Sequence, residues 1–141
     1  MRARRYLAAL ALALAACGGS DKSTGPGGTL EGTYALKTIN GRALPAVVFQ
    51  IPDDKVEITS GSVTMNANNS FSETVTLRET ITGSPVEETP ITCPGTYTRS
   101  GSAITFSEPE TEDCGGTYTG TWSSGNTLTV NFGGVTGVFR K

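Results

Sequence analysis

The sequence predicts an all-β fold, an up-and-down antiparallel β-barrel of eight or nine strands. Three observations carry that expectation. Beyond residue 29 no window holds the 3.6-residue apolar period of an amphipathic helix. Short alternating runs rich in Thr, Val, Ile, Phe and Tyr recur instead, the composition of half-buried pleated strands. Tight-turn sequences separate them, among them Asn40-Gly41, Ser124-Gly125-Asn126 and Gly133-Gly134, and long crossovers are missing. A flat sheet of this size would leave two edges open to aggregation, and closure removes them. A two-sheet sandwich is the competing arrangement.

The chain divides into three parts. Arg2, Arg4 and Arg5 precede an apolar run from Tyr6 to Leu14, and Leu14-Ala15-Ala16-Cys17 follows. The run is shorter than the ~20 residues that span a bilayer as a helix. A basic start, a short apolar middle and small residues before a Cys form the pattern of a lipoprotein signal peptide. The expectation is a signal segment over 1–16, a lipidated Cys17 with a linker over 17–29, and one β-domain over 30–141. The linker is Gly, Ser, Thr and Pro with almost nothing apolar, a flexible tether spanning roughly 20 Å. Gly18 stands directly after the Cys where an Asp would favour inner-membrane retention. This resembles sorting to the outer membrane, facing the periplasm.

Within the domain, Leu30 to Thr38 is the first strand, with Leu30, Gly32, Tyr34 and Leu36 on one face. Pro45 and Pro52 bracket Ala46 to Ile51, which makes it a short or edge strand. Lys55 to Asn66 changes phase: Val56 and Ile58 are apolar at even positions, Val63 and Met65 at odd ones. Gly61, between them, is the expected site of a bulge. Phe71 to Ile81 alternates with Phe71, Val75, Leu77 and Ile81 inward. Glu73 and Glu79 share that apolar register and are read as wetted rim positions, since a buried carboxylate needs a partner. Val86 to Thr92 reads as a short strand. Cys93-Pro94-Gly95-Thr96-Tyr97-Thr98 is then echoed by Cys114-Gly115-Gly116-Thr117-Tyr118-Thr119, each Cys just ahead of a strand. Ala103 to Phe106, Thr117 to Ser123, Thr127 to Phe132 and Val135 to Arg140 complete the set.

Composition excludes several functions. The full chain has 11 basic and 13 acidic residues; without the three signal arginines, 8 face 13, a net charge of −5. Such a domain repels nucleic acid and anionic headgroups. With no His, Ser-His-Asp and Cys-His catalysis is ruled out. Cys93 and Cys114 remain as an even pair in an oxidising compartment, so they are expected to form a disulfide and not a thiolate nucleophile. No metal is expected, because there is neither His nor a C-x-x-C. The acidic stretch Glu108 to Asp113 lacks a tuned Ca²⁺ pattern and reads as a solvated hairpin tip. No phosphate loop and no cofactor motif is present, so the domain is expected not to be an enzyme.

The stretch Gly32-Thr33-Tyr34-Ala35-Leu36, followed by Ile39-Asn40-Gly41 and Leu44-Pro45, resembles the opening of bacterial lipocalin-like lipoproteins. Gly95-Thr96-Tyr97, Ile104-Thr105-Phe106, Gly120-x-Trp122, Leu128-Thr129-Val130 and the close on Phe139-Arg140 are similar too. The resemblance implies a calycin-type barrel. It implies a cation stacked over the first-strand aromatic at the barrel base, with Tyr34 and Arg140 as the pair. It also implies a small hydrophobic or amphipathic ligand inside the barrel. Tyr97, Tyr118 and Trp122 are the candidate ligand-binding residues, because their polar tips can orient a guest. The same aromatics could instead fill the barrel as core, which would leave a protein-interaction module, a hydrolase inhibitor or an envelope assembly factor.

Overall fold

The computed structural model describes residues 28–123 and 126–141; the signal segment, the proposed lipid site Cys17 and most of the tether lie outside them. Ten strands are present: β1 (Gly32–Ile39), β2 (Arg42–Ala43), β3 (Ala46–Ile51), β4 (Asp54–Met65), β5 (Ser70–Ile81), β6 (Glu87–Ser100), β7 (Ala103–Glu110), β8 (Gly115–Ser123), β9 (Thr127–Phe132) and β10 (Val135–Arg140). All pairings are antiparallel, in the order β2-β1-β10-β9-β8-β7-β6-β5-β4-β3, with β1 also pairing β4. That last pairing closes an eight-stranded up-and-down barrel of β1 and β4–β10, as in a lipocalin-like calycin fold, and the sandwich alternative falls away.

Closure is complete at one end only. Residues 32–35 of β1 pair with 62–65 of β4. Beyond them the two strands part, and the gap is filled by β2 on β1 and by β3 on β4. The parting coincides with a bulge in β4. Ile58 faces Leu77 and Ser60 faces Thr76, which leaves Thr59 as the extra residue. The phase change read from the sequence is therefore real but sits at Thr59, two residues before Gly61. Gly61 has another use: a Cβ there would lie 3.0 Å from the Leu36 side chain.

One expected break is absent. Val86–Thr92 and the strand after Cys93 form a single strand of 14 residues, β6, so Cys93 lies inside a strand and not ahead of one. Pro90 and Pro94 mark where the ladder is one-sided. β7 pairs only with Thr96–Ser100, so the first half of β6 has β5 as its one neighbour. A missing N–H is tolerated there because it can face the open side.

The barrel is filled at the end where the chain enters and leaves. Leu30, Tyr34, Met65, Ile104, Phe106, Trp122, Leu128 and Phe139 are buried almost completely. Gly95 belongs to this tight region: a Cβ there would stand 2.5 Å from both a Phe71 ring carbon and the Ser107 carbonyl oxygen. Gly115 meets nothing within 4 Å. Overpacking of this kind costs about 1–3 kcal/mol. Gly95→Ala is therefore expected to lower unfolding stability by that amount in urea titration, while Gly115→Ala changes it by less than about 0.5 kcal/mol.

Candidate functional site

The inward side chains of the strands divide the barrel into a closed base and a hollow mouth. At the base the Tyr34 hydroxyl donates to the Leu30 carbonyl at 2.7 Å, and the Tyr97 hydroxyl donates to the Asn66 carbonyl at 2.8 Å. Trp122 is 1% exposed, and its indole N–H reaches no partner in good geometry. Burial pushes the Tyr34 phenol's pKa up, and the nearby Trp122 N–H opposes that push. Both polar tips of Tyr34 and Tyr97 are thus spent on backbone, and neither Tyr97 nor Trp122 borders the cavity.

Cations do cover the base, from positions other than the expected one. The Lys141 ammonium stands 5.0 Å from the Tyr34 ring centroid, and the Arg99 guanidinium 4.7 Å from that of Trp122. Arg140 is exposed and contributes only its place in the ladder opposite Ala35. The reason is strand alternation: Phe139 points inward, so Arg140 must point out. Lys141, beyond the strand, can fold back to donate to the carbonyls of Thr29 and Glu31. Each such contact contributes about 0.5–2 kcal/mol.

Above the base the barrel is hollow. A cavity of about 500 Å³ is lined by Glu73, Val75, Ile91, Cys93, Glu108, Asp113, Thr117, Tyr118 and Phe132. A second lobe of about 270 Å³ shares Glu73, Val75 and Phe132 and is otherwise walled by Leu36, Ile39, Val48, Ile58, Val135 and Phe139. Small-molecule sites span about 300–1,000 Å³, so the space suits one ligand. Of the three aromatics proposed to touch a guest, Tyr118 does line it. Its ring packs against Phe132, centroids 4.8 Å apart, and stacks on Phe106 at 5.0 Å.

The polar centre of the cavity is a carboxyl pair around that phenol. The Tyr118 hydroxyl lies 2.9 Å from Glu73 Oε2 and 2.7 Å from Glu108 Oε1. The other Glu108 oxygen accepts the Gly115 N–H at 3.0 Å. A phenol has one proton to donate. When it serves Glu108, the Glu73 contact is a hydrogen bond only if Glu73 is protonated. Burial acts in the same direction: Glu73 is 7% exposed, and desolvation, helped by the charge of Glu108 and opposed by the Tyr118 hydrogen bond, raises its pKa to about 7. Burial and both carboxylates push the Tyr118 phenol far above its ordinary range. Glu73 was expected to be wetted and is not, because β5 runs through the middle of the barrel wall at that point; Glu79, nearer the strand end, is part-exposed.

Cys93 and Cys114 are joined, their Cα atoms 5.6 Å apart. The bond spans the place where β6 and β7 diverge and so closes the wall of the larger lobe. With a sequence separation of 21, the crosslink contributes roughly 3 kcal/mol in the chain-entropy account. Glu108 lies near both sulfurs, but sulfurs bonded to each other offer no thiolate to a metal. The Glu108–Asp113 segment is the β7–β8 tip with Pro109 to Asp113 exposed, as expected, and only its first residue departs from that reading. Glu108 turns into the barrel, and the Cys114 N–H bonds the Thr111 hydroxyl oxygen at 3.0 Å.

Strand-period reasoning placed Glu73 on the apolar register but read it as wetted, and left Glu108 in a solvated loop. Each continues an inward series, Phe71-Glu73-Val75 on β5 and Ile104-Phe106-Glu108 on β7. The signal was an acid on an apolar register. Comparison with protein-family models, with curated proteins and with solved structures returns no match for this chain.

A carboxyl whose pKa is raised on folding binds more protons in the folded than in the unfolded state between about pH 4.5 and 7. Stability from this group is therefore present at low pH and lost as pH rises through that window. A shift of this size corresponds to about 3 kcal/mol. Glu73→Gln is expected to keep the Tyr118 hydrogen bond and remove the dependence. Its stability relative to the unsubstituted protein should rise by about 3 kcal/mol between pH 4.5 and 8, read from urea unfolding at each pH.

Proposed function

We propose that this chain is a lipocalin-like envelope lipoprotein, anchored through Cys17, that carries a small hydrophobic or amphipathic ligand without catalysis. The observation that supports the ligand reading is the two-lobed cavity at the barrel mouth, apolar along β1, β4 and β10 and polar at Glu73, Tyr118 and Glu108. The chain offers no His, and its two paired cysteines no thiolate, so the site is read as a receptor and not as a reaction centre. Val75 borders both lobes. Val75→Trp is expected to fill them and to abolish the melting-temperature rise that a ten-carbon amphiphile produces in the unsubstituted protein. Retention of that rise would remove the cavity from the account.

The anchoring part rests on the Arg-rich start, the apolar run and Leu14-Ala15-Ala16-Cys17. Cells given radiolabelled palmitate should incorporate label into the chain, and Cys17→Ser should lose it.

One feature favours a protein-interaction role as a second reading. Val48, Phe49 and Ile51 on β3, with Ile81 and Val86 at the β5–β6 tip, are large apolar side chains left 41–57% exposed. Side chains of this kind on one rim suit a docking partner. This role does not need the cavity and would survive Val75→Trp.

A further inference from the structure

The lining of the cavity has one sign of charge. Glu73, Glu108 and Asp113 border it, and among the described residues no Lys or Arg does. The cations of the adjoining strands are engaged outside: Lys55 and Arg78 both contact Glu57 Oε2, at 3.1 and 2.9 Å, on the opposite face of β4 from Ile58. An anionic head entering the mouth would meet three acids with nothing to neutralise it. Glu73 sits where the two lobes meet, more than nine-tenths buried, and its Oε1 accepts no hydrogen bond among the described residues. That oxygen keeps some exposure and so remains free to accept a donor from a guest. Tyr118 and Phe132 border the cavity on the same side as Glu73. Beyond Glu73 the second lobe is walled by apolar side chains, Leu36, Ile58 and Phe139 among them.

We propose that the cavity selects a cationic amphiphile, with an amine or quaternary ammonium head held by Glu73, Glu108 and Tyr118 and an apolar tail in the Leu36–Ile58–Phe139 lobe. The inference rests on the ligand-carrier reading above and specifies its cargo. It also makes capture depend on pH. Glu73 faces Tyr118 on β8 and Glu108 on β7, with Asp113 on the mouth loop; burial, aided by the charge of Glu108 and opposed by the Tyr118 hydrogen bond, holds its proton in the empty site. A cation displaces that proton into solvent. Below about pH 7 the proton must be removed at a cost, so affinity falls as pH drops, by at most about tenfold per unit for one proton. Above that pH the carboxylate is already ionised and affinity levels off.

The test uses three chain-matched probes on the full chain by titration calorimetry: decyltrimethylammonium, decanol and decanoate, each below its micelle concentration. At pH 8 the cation should bind at least tenfold more tightly than the alcohol, with the carboxylate weakest. At pH 5.5 the cation's affinity should fall about tenfold or more, while that of decanol changes little. Glu73→Gln should erase the preference for the cation and its pH dependence, Glu108→Gln should reduce the preference, and Glu79→Gln, on the rim outside both lobes, should leave it intact. Equal or tighter binding of decanol or decanoate, or a preference that survives Glu73→Gln and Glu108→Gln alike, overturns the cationic cargo while the carrier reading stands. Absence of binding by all three probes overturns both.

Discussion

Strand β1 is hydrogen-bonded on both sides, and everything else in the barrel presupposes it. One edge runs along β10, from Ala35 opposite Arg140 to Ile39 opposite Gly137; the other runs along β4 for only four residues. Without the β4 contact the chain would be a ten-stranded ribbon with two free edges and no interior. With it, the alternate residues of eight strands face one another. The short overlap is as informative as the closure. Where it stops the barrel would gape, and β2 and β3 occupy that place. The bulge at Thr59 bends β4 from one partner to the other.

Filling follows from the same geometry. At the end where β1 and β4 meet, large residues from every wall converge, and glycines such as Gly95 and Gly120 make room for Phe71 and Phe106. At the other end the wall is spread by the inserted strands on one side and by the divergence of β6 from β7 on the other. Side chains of ordinary length no longer reach across, and a space remains. The disulfide limits how far the second of these gaps can widen. The raised pKa of Glu73 belongs to this arrangement too: the residue is deep enough to lose water and still borders an empty volume.

Much of the fold was legible from residues 30–141. Strict alternation located β9 and β10 to the residue, and an even pair of cysteines in an expected oxidising compartment joined Cys93 to Cys114. The closed order itself came from short turns between successive strands. What was misread had local causes. Val86–Thr92 and the segment after Cys93 were read as two strands because sequence does not show that the first half of β6 has a single neighbour, which lets one strand carry Pro90 and Pro94. The cation over Tyr34 was assigned to Arg140, when alternation from the inward Phe139 puts that residue outside and leaves the task to Lys141. At the site, Tyr118 could be chosen from its register, but Tyr97 and Trp122 have the same pattern and differ only in height along the barrel. Height depends on shear and bulges, which no single strand reveals. Glu73 and Glu108 were visible as acids on apolar registers; what could not be seen is that they meet across β5, β7 and β8 at one phenol.

The two ends of the domain emerge together. Gly28 lies beside the Trp122 ring and the Asn126 side chain, and Lys141 donates its backbone N–H to the Asn126 carbonyl oxygen. Both are at the sealed foot, a barrel length from the opening. A leash attached ahead of Gly28 would therefore hold the vessel by its foot, with the opening turned toward the aqueous space. Under the proposed anchoring, anything entering the cavity would then arrive from that side and not from the leaflet beneath the foot.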